Sequence, residues 1–242
     1  MGNRKILVSL TTLSNISKKS LDSSWESKIE EIKKNNLEEI ALFLTGLEKE
    51  ERTKLYDALE STSVKSIPHV HLRTDMDSEE LDYLARKYSV QAFNLHPTVD
   101  WPLIHDYSKY NSKIYIENVE TVPSEDELKK FGGLCIDFAH WKDEQLNGND
   151  VYCEKLEDRI KKYKMGCSHV SAIKKELTPT VLSFGSMRYD SHILKDLGEL
   201  DYMKEYRKYL PNIVSMELEN SINEQLEAKK YLEKIINQQK NE

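Results

Sequence analysis

Seven histidines stand in the chain, and six fall where a strand pattern ends or in one short loop motif. His69 and His71 lie in the apolar segment 67–73, and His96 closes Asn94-Leu95-His96-Pro97. His140 follows Asp137-Phe138-Ala139, His169 sits in the run 167–172, and His192 ends Asp190-Ser191-His192. Only His105 lies apart. Carboxylates occupy the same kind of position: Glu117 in Ile116-Glu117-Asn118, Asp137, Asp190, and Glu217 in Met216-Glu217-Leu218. Imidazole mixed with carboxylate is the donor set of zinc, manganese or ferrous iron, not of calcium or magnesium alone. Glu117 and Glu217 weigh most, because a carboxylate inside an apolar strand needs a paired charge or a metal. The Asp-x-x-His and Asp-x-His spacings are weak singly; taken together in strand order they point to a metal centre.

Those residues need a scaffold that brings distant segments to one place. Strand patterns fall at 5–10, 39–44, 67–73, 92–96, 113–118, 133–138, 167–172 and 213–218. Helical patterns alternate with them at 24–35, 48–59, 78–88, 101–110 (short), 150–164, 201–210 and 223–237. One more helix starts behind Pro123-Ser124, with Ser124 as its cap and Glu127 three residues on. Strict alternation implies parallel strands joined by helical crossovers. Eight units of about 30 residues fill residues 1–242 without remainder, which predicts an α/β fold, a single (β/α)8 TIM barrel domain. A doubly wound open sheet is the second choice and would rarely need eight such units. In a barrel, the carboxyl ends of the strands carry the active site, and the histidines and carboxylates stand at those ends. The longest irregular segment, 174–200, exceeds an ordinary connection and is a functional-loop candidate.

Composition sets the outer bounds. Of 242 residues 38% are hydrophobic and 32% charged, which is charge-rich but globular. No apolar run approaches the roughly 18 residues of a membrane span. The start, Met1 to Val8, lacks a cleavage site, and Ile6 stands where myristoylation of Gly2 would want Ser or Thr. Cys135, Cys153 and Cys167 are odd in number and widely spaced, which argues against a disulfide framework and for a cytoplasmic protein. A net charge of -7 does not attract polyanions, although a local basic patch stays open. Arg73, just past the third strand, and Lys174, beside Lys175 in the long connection, are the cations placed to meet a substrate anion. Trp25, Trp101 and Trp141 read as packing, and the charge-rich last helix as an exposed face.

From about Ile67 to its end the chain resembles the xylose isomerase-like barrels, which include sugar isomerases, sugar epimerases and the type IV apurinic endonucleases. Gly133-Leu134-Cys135-Ile136-Asp137-Phe138-Ala139-His140 is very similar to the endonuclease motif of strand six. Asn94-Leu95-His96-Pro97, Ile116-Glu117-Asn118, the His169 strand, Pro68-His69 and Asp190-Ser191-His192 followed by Leu197-Gly198-Glu199 also match. The resemblance implies one metal on His69 or His71 with His96 and Glu117. It implies a second on Glu117, Asp137, His169 and Glu217, and a third on His140, Asp190 and His192. The epimerase branch typically needs only the second of these. The surplus histidines therefore imply the hydrolytic branch: a phosphoester hydrolase with two or three zinc, manganese or iron ions, in which Glu117 and Glu217 are catalytic. Its substrate would be a small phosphorylated sugar, a nucleotide or an abasic nucleic acid. The alternative is a single-metal sugar or sugar-phosphate isomerase or epimerase, and a third reading is a non-catalytic barrel. Departures from the endonucleases tell against DNA. Leu72-Arg73 replaces an aromatic residue, the loop Thr98-Val99-Asp100 is short, and Ser171-Ala172 replaces Asn-Asp.

Overall fold

The computed structural model describes residues 4–12, 24–179 and 187–237. Gly2 and part of the long connection, 180–186, lie outside the described residues. The strands are β1 (Lys5–Leu7), β2 (Ser9–Thr11), β3 (Ala41–Phe43), β4 (His69–His71), β5 (Ala92–Leu95), β6 (Ile114–Glu117), β7 (Leu134–Asp137), β8 (Met165–Val170), β9 (Ala172–Pro179), β10 (Met187–Ser191) and β11 (Ile213–Met216). All but β9 and β10 form one parallel sheet in the order β1-β11-β8-β7-β6-β5-β4-β3-β2. β1 and β2 are a single strand that changes neighbours at Val8: Lys5 pairs with Ile213, and Ser9 with Ala41. Strands of a closed barrel are tilted and staggered, so the lower half of one strand meets one neighbour and its upper half the other. The sheet thus closes on itself as an eight-fold β/α barrel.

The helices are α1 (Trp25–Lys34), α2 (Lys49–Glu60), α3 (Ser78–Tyr88), α4 (Glu125–Lys130), α5 (Phe138–Leu146), α6 (Asp150–Lys162), α7 (Met203–Tyr206) and α8 (Ile222–Asn237). The longer ones bury one stripe. In α3 it is Leu81, Leu84 and Tyr88, three and then four residues apart, and the Asp77 carboxylate accepts from Glu80 N to cap the start. α4 begins with the capping box expected of Ser124 and Glu127. None of these helices is long and apolar enough to cross a membrane.

Three local expectations differ. Residues 101–110 give no α-helix, only a 3-10 turn at Ser108–Lys113. The expected helix 150–164 is preceded by α5, which starts directly from β7 with Asp137 as its N-cap. The apolar Phe138-Ala139 extends the strand pattern and hides that switch. The long connection is largely an antiparallel ribbon, with Ser191 paired to Ala172 and Asp190 to Ile173. Its run Lys174-Lys175-Glu176 is too charged to read as a strand, yet it belongs to a two-stranded sheet outside the barrel, where side chains reach solvent.

Alternation along the strands sorts two cores. One packs strands against helices and includes Leu134, Ile136 and Ile116. The other lies inside the barrel and consists of Leu7, Ala41, Phe43, Ala92, Tyr115, Cys135, Cys167 and Ile213. Two residues further along the same inward faces come Asn94, Glu117, Asp137, His169 and Ser215. The apolar plug therefore supports a polar layer at the carboxyl ends of the strands.

Candidate metal centre

Glu117, Asp137, His169 and Glu217 converge from β6, β7, β8 and the end of β11, with donor atoms within 4.8 Å of one another. His169 Nδ1 lies 3.4 Å from Glu117 Oε1, 3.2 Å from Glu217 Oε2 and 3.8 Å from Asp137 Oδ2. All four are buried. Asp137 spends Oδ1 on the amide of His140, and its backbone is pinned by Asn118, whose Oδ1 accepts from Asp137 N at 2.9 Å. Asp137 Oδ2 and both His169 nitrogens are buried with no hydrogen-bond partner. Three buried carboxylates around one imidazole, with orphaned donor atoms aimed inward, fit a divalent cation.

A second group shares Glu117. His71 Nδ1 donates to Leu72 O at 3.0 Å, which leaves Nε2 as the lone-pair nitrogen of the neutral ring. That nitrogen faces His96 Nε2 at 3.2 Å and Glu117 Oε2 at 3.3 Å. Two imidazole nitrogens this close to a carboxylate again make a donor set that could hold a cation. His71 is thus the strand residue that reaches this group. His69 lies one layer deeper, against Ser215 Oγ at 2.8 Å and Asn94 Oδ1 at 3.0 Å. Phe43 sits beneath the imidazoles, its ring centre 4.9 Å from that of His169.

The third expected set does not assemble in this way. Asp190 Oδ2 reaches His140 Nδ1 at 3.3 Å, but His192 turns to Glu217, donating from Nδ1 to its carbonyl at 3.2 Å. The guanidinium of Arg188 occupies the neighbourhood. Its Nε donates to Asp190 Oδ1 at 2.6 Å, Nη1 to Glu120 Oε1 at 2.9 Å, and Nη2 lies 3.1 Å from both Asp143 Oδ2 and His140 Nδ1. A fixed cation thus stands among the ligands proposed for a third ion.

Charge coupling follows from this crowding. Burial works against ionising Glu117, but His169, His71 and His96 hold its carboxyl well below the usual range. Burial likewise opposes Glu217, and His192 and His169 bring it down to about 2. Asp137 moves up, through burial and the neighbouring Glu117 and Glu217. Burial disfavours a charge on His169, yet Glu117 and Glu217 raise it well above the ordinary histidine value. His140 is raised to about 9: burial is outweighed by Asp137 and Asp190, despite Arg188. His96 drops to about 4, through burial and the adjacent His71.

Beside the His71–His96 group opens a cavity of about 310 Å³, walled by Leu72, Arg73, Trp101 and Ile104. Trp101 meets His96 edge-on at 4.6 Å between ring centres. Arg73 reaches this cavity already paired, its Nε 2.8 Å from Asp75 Oδ1. Lys174 binds Ile193 O and Glu199 Oε2 at 2.7 Å, so it ties the ribbon to the Leu197–Leu200 turn. Sequence reasoning passed over Arg188, Asp143, Ser215 and Phe43. Only Arg188 left a trace, in its i, i+2 spacing to Asp190.

No family model matches the sequence, and no curated protein does. Solved structures resemble the chain in the course of the backbone. One is the probable 3-DHS dehydratase AsbF, involved in petrobactin synthesis, from Bacillus anthracis, at 12% identity over 98% of this chain and 100% of that one, TM-score 0.45. Another is the IOLI protein with a binding zinc atom, at 12% identity over 95% of this chain and 96% of that one, TM-score 0.46. An uncharacterized B. cereus protein matches at 11% identity over 98% of this chain and 65% of that one, TM-score 0.42. Likeness of this degree carries no information about chemistry, which rests on the side chains.

Proposed function

We propose that this chain is a metal-dependent isomerase or epimerase of a small hydroxy-carbonyl compound such as a sugar, with its principal ion on Glu117, Asp137, His169 and Glu217. The observation that carries this reading is Arg188: its guanidinium lies against His140 and Asp190, where the three-metal hydrolytic arrangement would need an ion. A bound divalent ion would polarise a substrate carbonyl and so acidify the neighbouring C–H. Glu217, held ionised near a pKa of about 2, and Glu117 present carboxylates from the ends of β11 and β6, with β8 and β7 between them, and would carry a proton between adjacent carbons. His140 Nδ1 faces the donor Nη2 of Arg188, so the Nε2 hydrogen of His140 would be the one to reach a substrate oxygen. Trp101 and Ile104 give the cavity an apolar wall on that side, against which the carbon skeleton of a substrate would lie.

A second reading has its own support. The His71–His96–Glu117 group would take another ion next to the first, and two ions sharing a carboxylate suit phosphoester hydrolysis. Metal analysis of protein purified without chelator separates the two. One ion per chain, with deuterium from D2O entering a candidate sugar at the carbon next to its carbonyl, supports the isomerase. Glu217→Gln is then expected to lower that exchange by about 10²–10⁴-fold with the fold intact. Two or more ions per chain with phosphoester turnover would replace this reading with the hydrolase. No bound ion after metal is offered back would leave a non-catalytic barrel.

A further inference from the structure

Glu117 belongs to both candidate ion groups, so its orientation governs both, and a chain of buried hydrogen bonds leads to it from across the barrel. Asn94 Nδ2 donates to Glu117 Oε2 at 2.6 Å. An amide nitrogen only donates, so Asn94 must turn its Oδ1 the other way, where it lies 3.0 Å from His69 Nε2. A carbonyl oxygen only accepts, so His69 Nε2 carries the proton. His69 Nδ1 is then the acceptor of the neutral ring and takes the hydroxyl hydrogen of Ser215, 2.8 Å away. Every member is fully buried: Ser215, His69 and Asn94 are at 0% exposure and Glu117 at 1%. With Asn94 Nδ2 toward Glu117, only the Nε2–H form of the two neutral His69 tautomers satisfies all three contacts.

We propose that Ser215, His69 and Asn94 form a positioning relay that locks Glu117 with Oε2 toward His71 and Oε1 toward His169. None of the three faces the ion groups through a free atom. Both nitrogens of His69 are spent, which explains why a strand histidine this close to the centre is a support and not a ligand. Cys135 and His169 also lie near His69, but the relay leaves His69 no lone pair to share with them. Without the relay Glu117 would keep its charge and lose its fixed direction. Partners behind metal-binding side chains typically contribute about 10–100-fold in affinity. The affinity arm of the test rests on the metal-site reading; the tautomer arm does not.

The experiment uses the full chain with zinc alone, titrated against a chromophoric chelator, together with 15N spectra of the metal-free protein. Asn94→Leu and His69→Leu keep the volume and break the chain; His69→Gln keeps a donor toward Asn94 and an acceptor toward Ser215. Zinc affinity is expected to fall about 10–100-fold in the two leucine variants and to recover in His69→Gln, with circular dichroism unchanged. A purely packing role for His69 would give the same affinity in His69→Leu and wild type, or no recovery in His69→Gln, and either result overturns the relay. The 15N spectra are expected to show His69 as the Nε2–H tautomer with a slowly exchanging proton, lost in Asn94→Leu. An Nδ1–H tautomer overturns the relay whatever the zinc result. If wild type binds no zinc, the metal-site reading fails, and the tautomer still decides the relay.

Discussion

Arg188 and Asp190 stand two residues apart on β10, and that spacing lays the guanidinium along the carboxylate. Arg188 is 8% exposed, and its guanidinium contacts the carboxylates of Asp190, Glu120 and Asp143. A buried cation with this many partners is expensive to remove, because the anions it leaves behind must find another charge. Arg188→Ala should therefore recruit one: bound metal is expected to rise by one ion per chain, as measured by elemental analysis in zinc-containing buffer. An unchanged stoichiometry would show that Arg188 neutralises the carboxylates without standing in for an ion. The side chains that converge at the barrel mouth were legible in the sequence because carboxylates and imidazoles at strand ends are costly unless paired. Arg188 was not, since an arginine in a charged ribbon looks like any solvated side chain until the fold turns it inward. His69 and His71 were indistinguishable for a related reason. Both point into the barrel, and only the depth of the layer separates His69, against Ser215 and Asn94, from His71, against His96 and Glu117.

Among the elements, the alternation of strands and helices was visible because each strand is an apolar run and each helix an amphipathic one. The ribbon β9–β10 and the switch from β7 to α5 were not, because neither has a core-facing period of its own. α1 carries a further consequence. Its Lys28 is fully buried and donates to Thr11 O at 2.9 Å, which terminates β2, with Glu219 Oε2 at 3.8 Å. Burial lowers the Lys28 pKa to about 8, although Glu219 and Glu31 oppose the fall. Between about 8 and the ordinary 10.5 the unfolded chain holds a proton that the folded chain has released. Stability therefore gains from this group as pH rises through that window. Urea midpoints of wild type and Lys28→Met, compared from pH 8 to pH 10, test the point. Wild type should gain on the variant as pH rises, and parallel curves would show that Lys28 titrates alike in both states.

At the scale of the whole molecule, the barrel is held shut by apolar plugs on both sides of the sheet, while its mouth gathers three buried carboxylates of like charge. In the metal-free protein the surrounding carboxylates, Asp190 included, raise the proton affinity of His169, His192 and His140 against burial. A ligand that binds only the folded barrel stabilises it by about 2.7 kcal/mol at a hundred times its dissociation constant. For a chain of this size each kcal/mol moves the melting temperature by about 2–4 °C. Saturating zinc or manganese should therefore raise Tm by about 5–10 °C, reversibly on adding chelator. The sign of the pH dependence follows from His169. Its raised pKa means that the proton stabilises the metal-free fold at low pH, and this contribution is lost as pH rises through the folded value. The metal must displace that proton, so the metal-induced shift in Tm should grow between about pH 6 and pH 8. Differential scanning calorimetry with and without metal across that range measures it. A shift that is absent, or that shrinks with pH, would mean that the carboxylates at the barrel mouth are neutralised by protons alone.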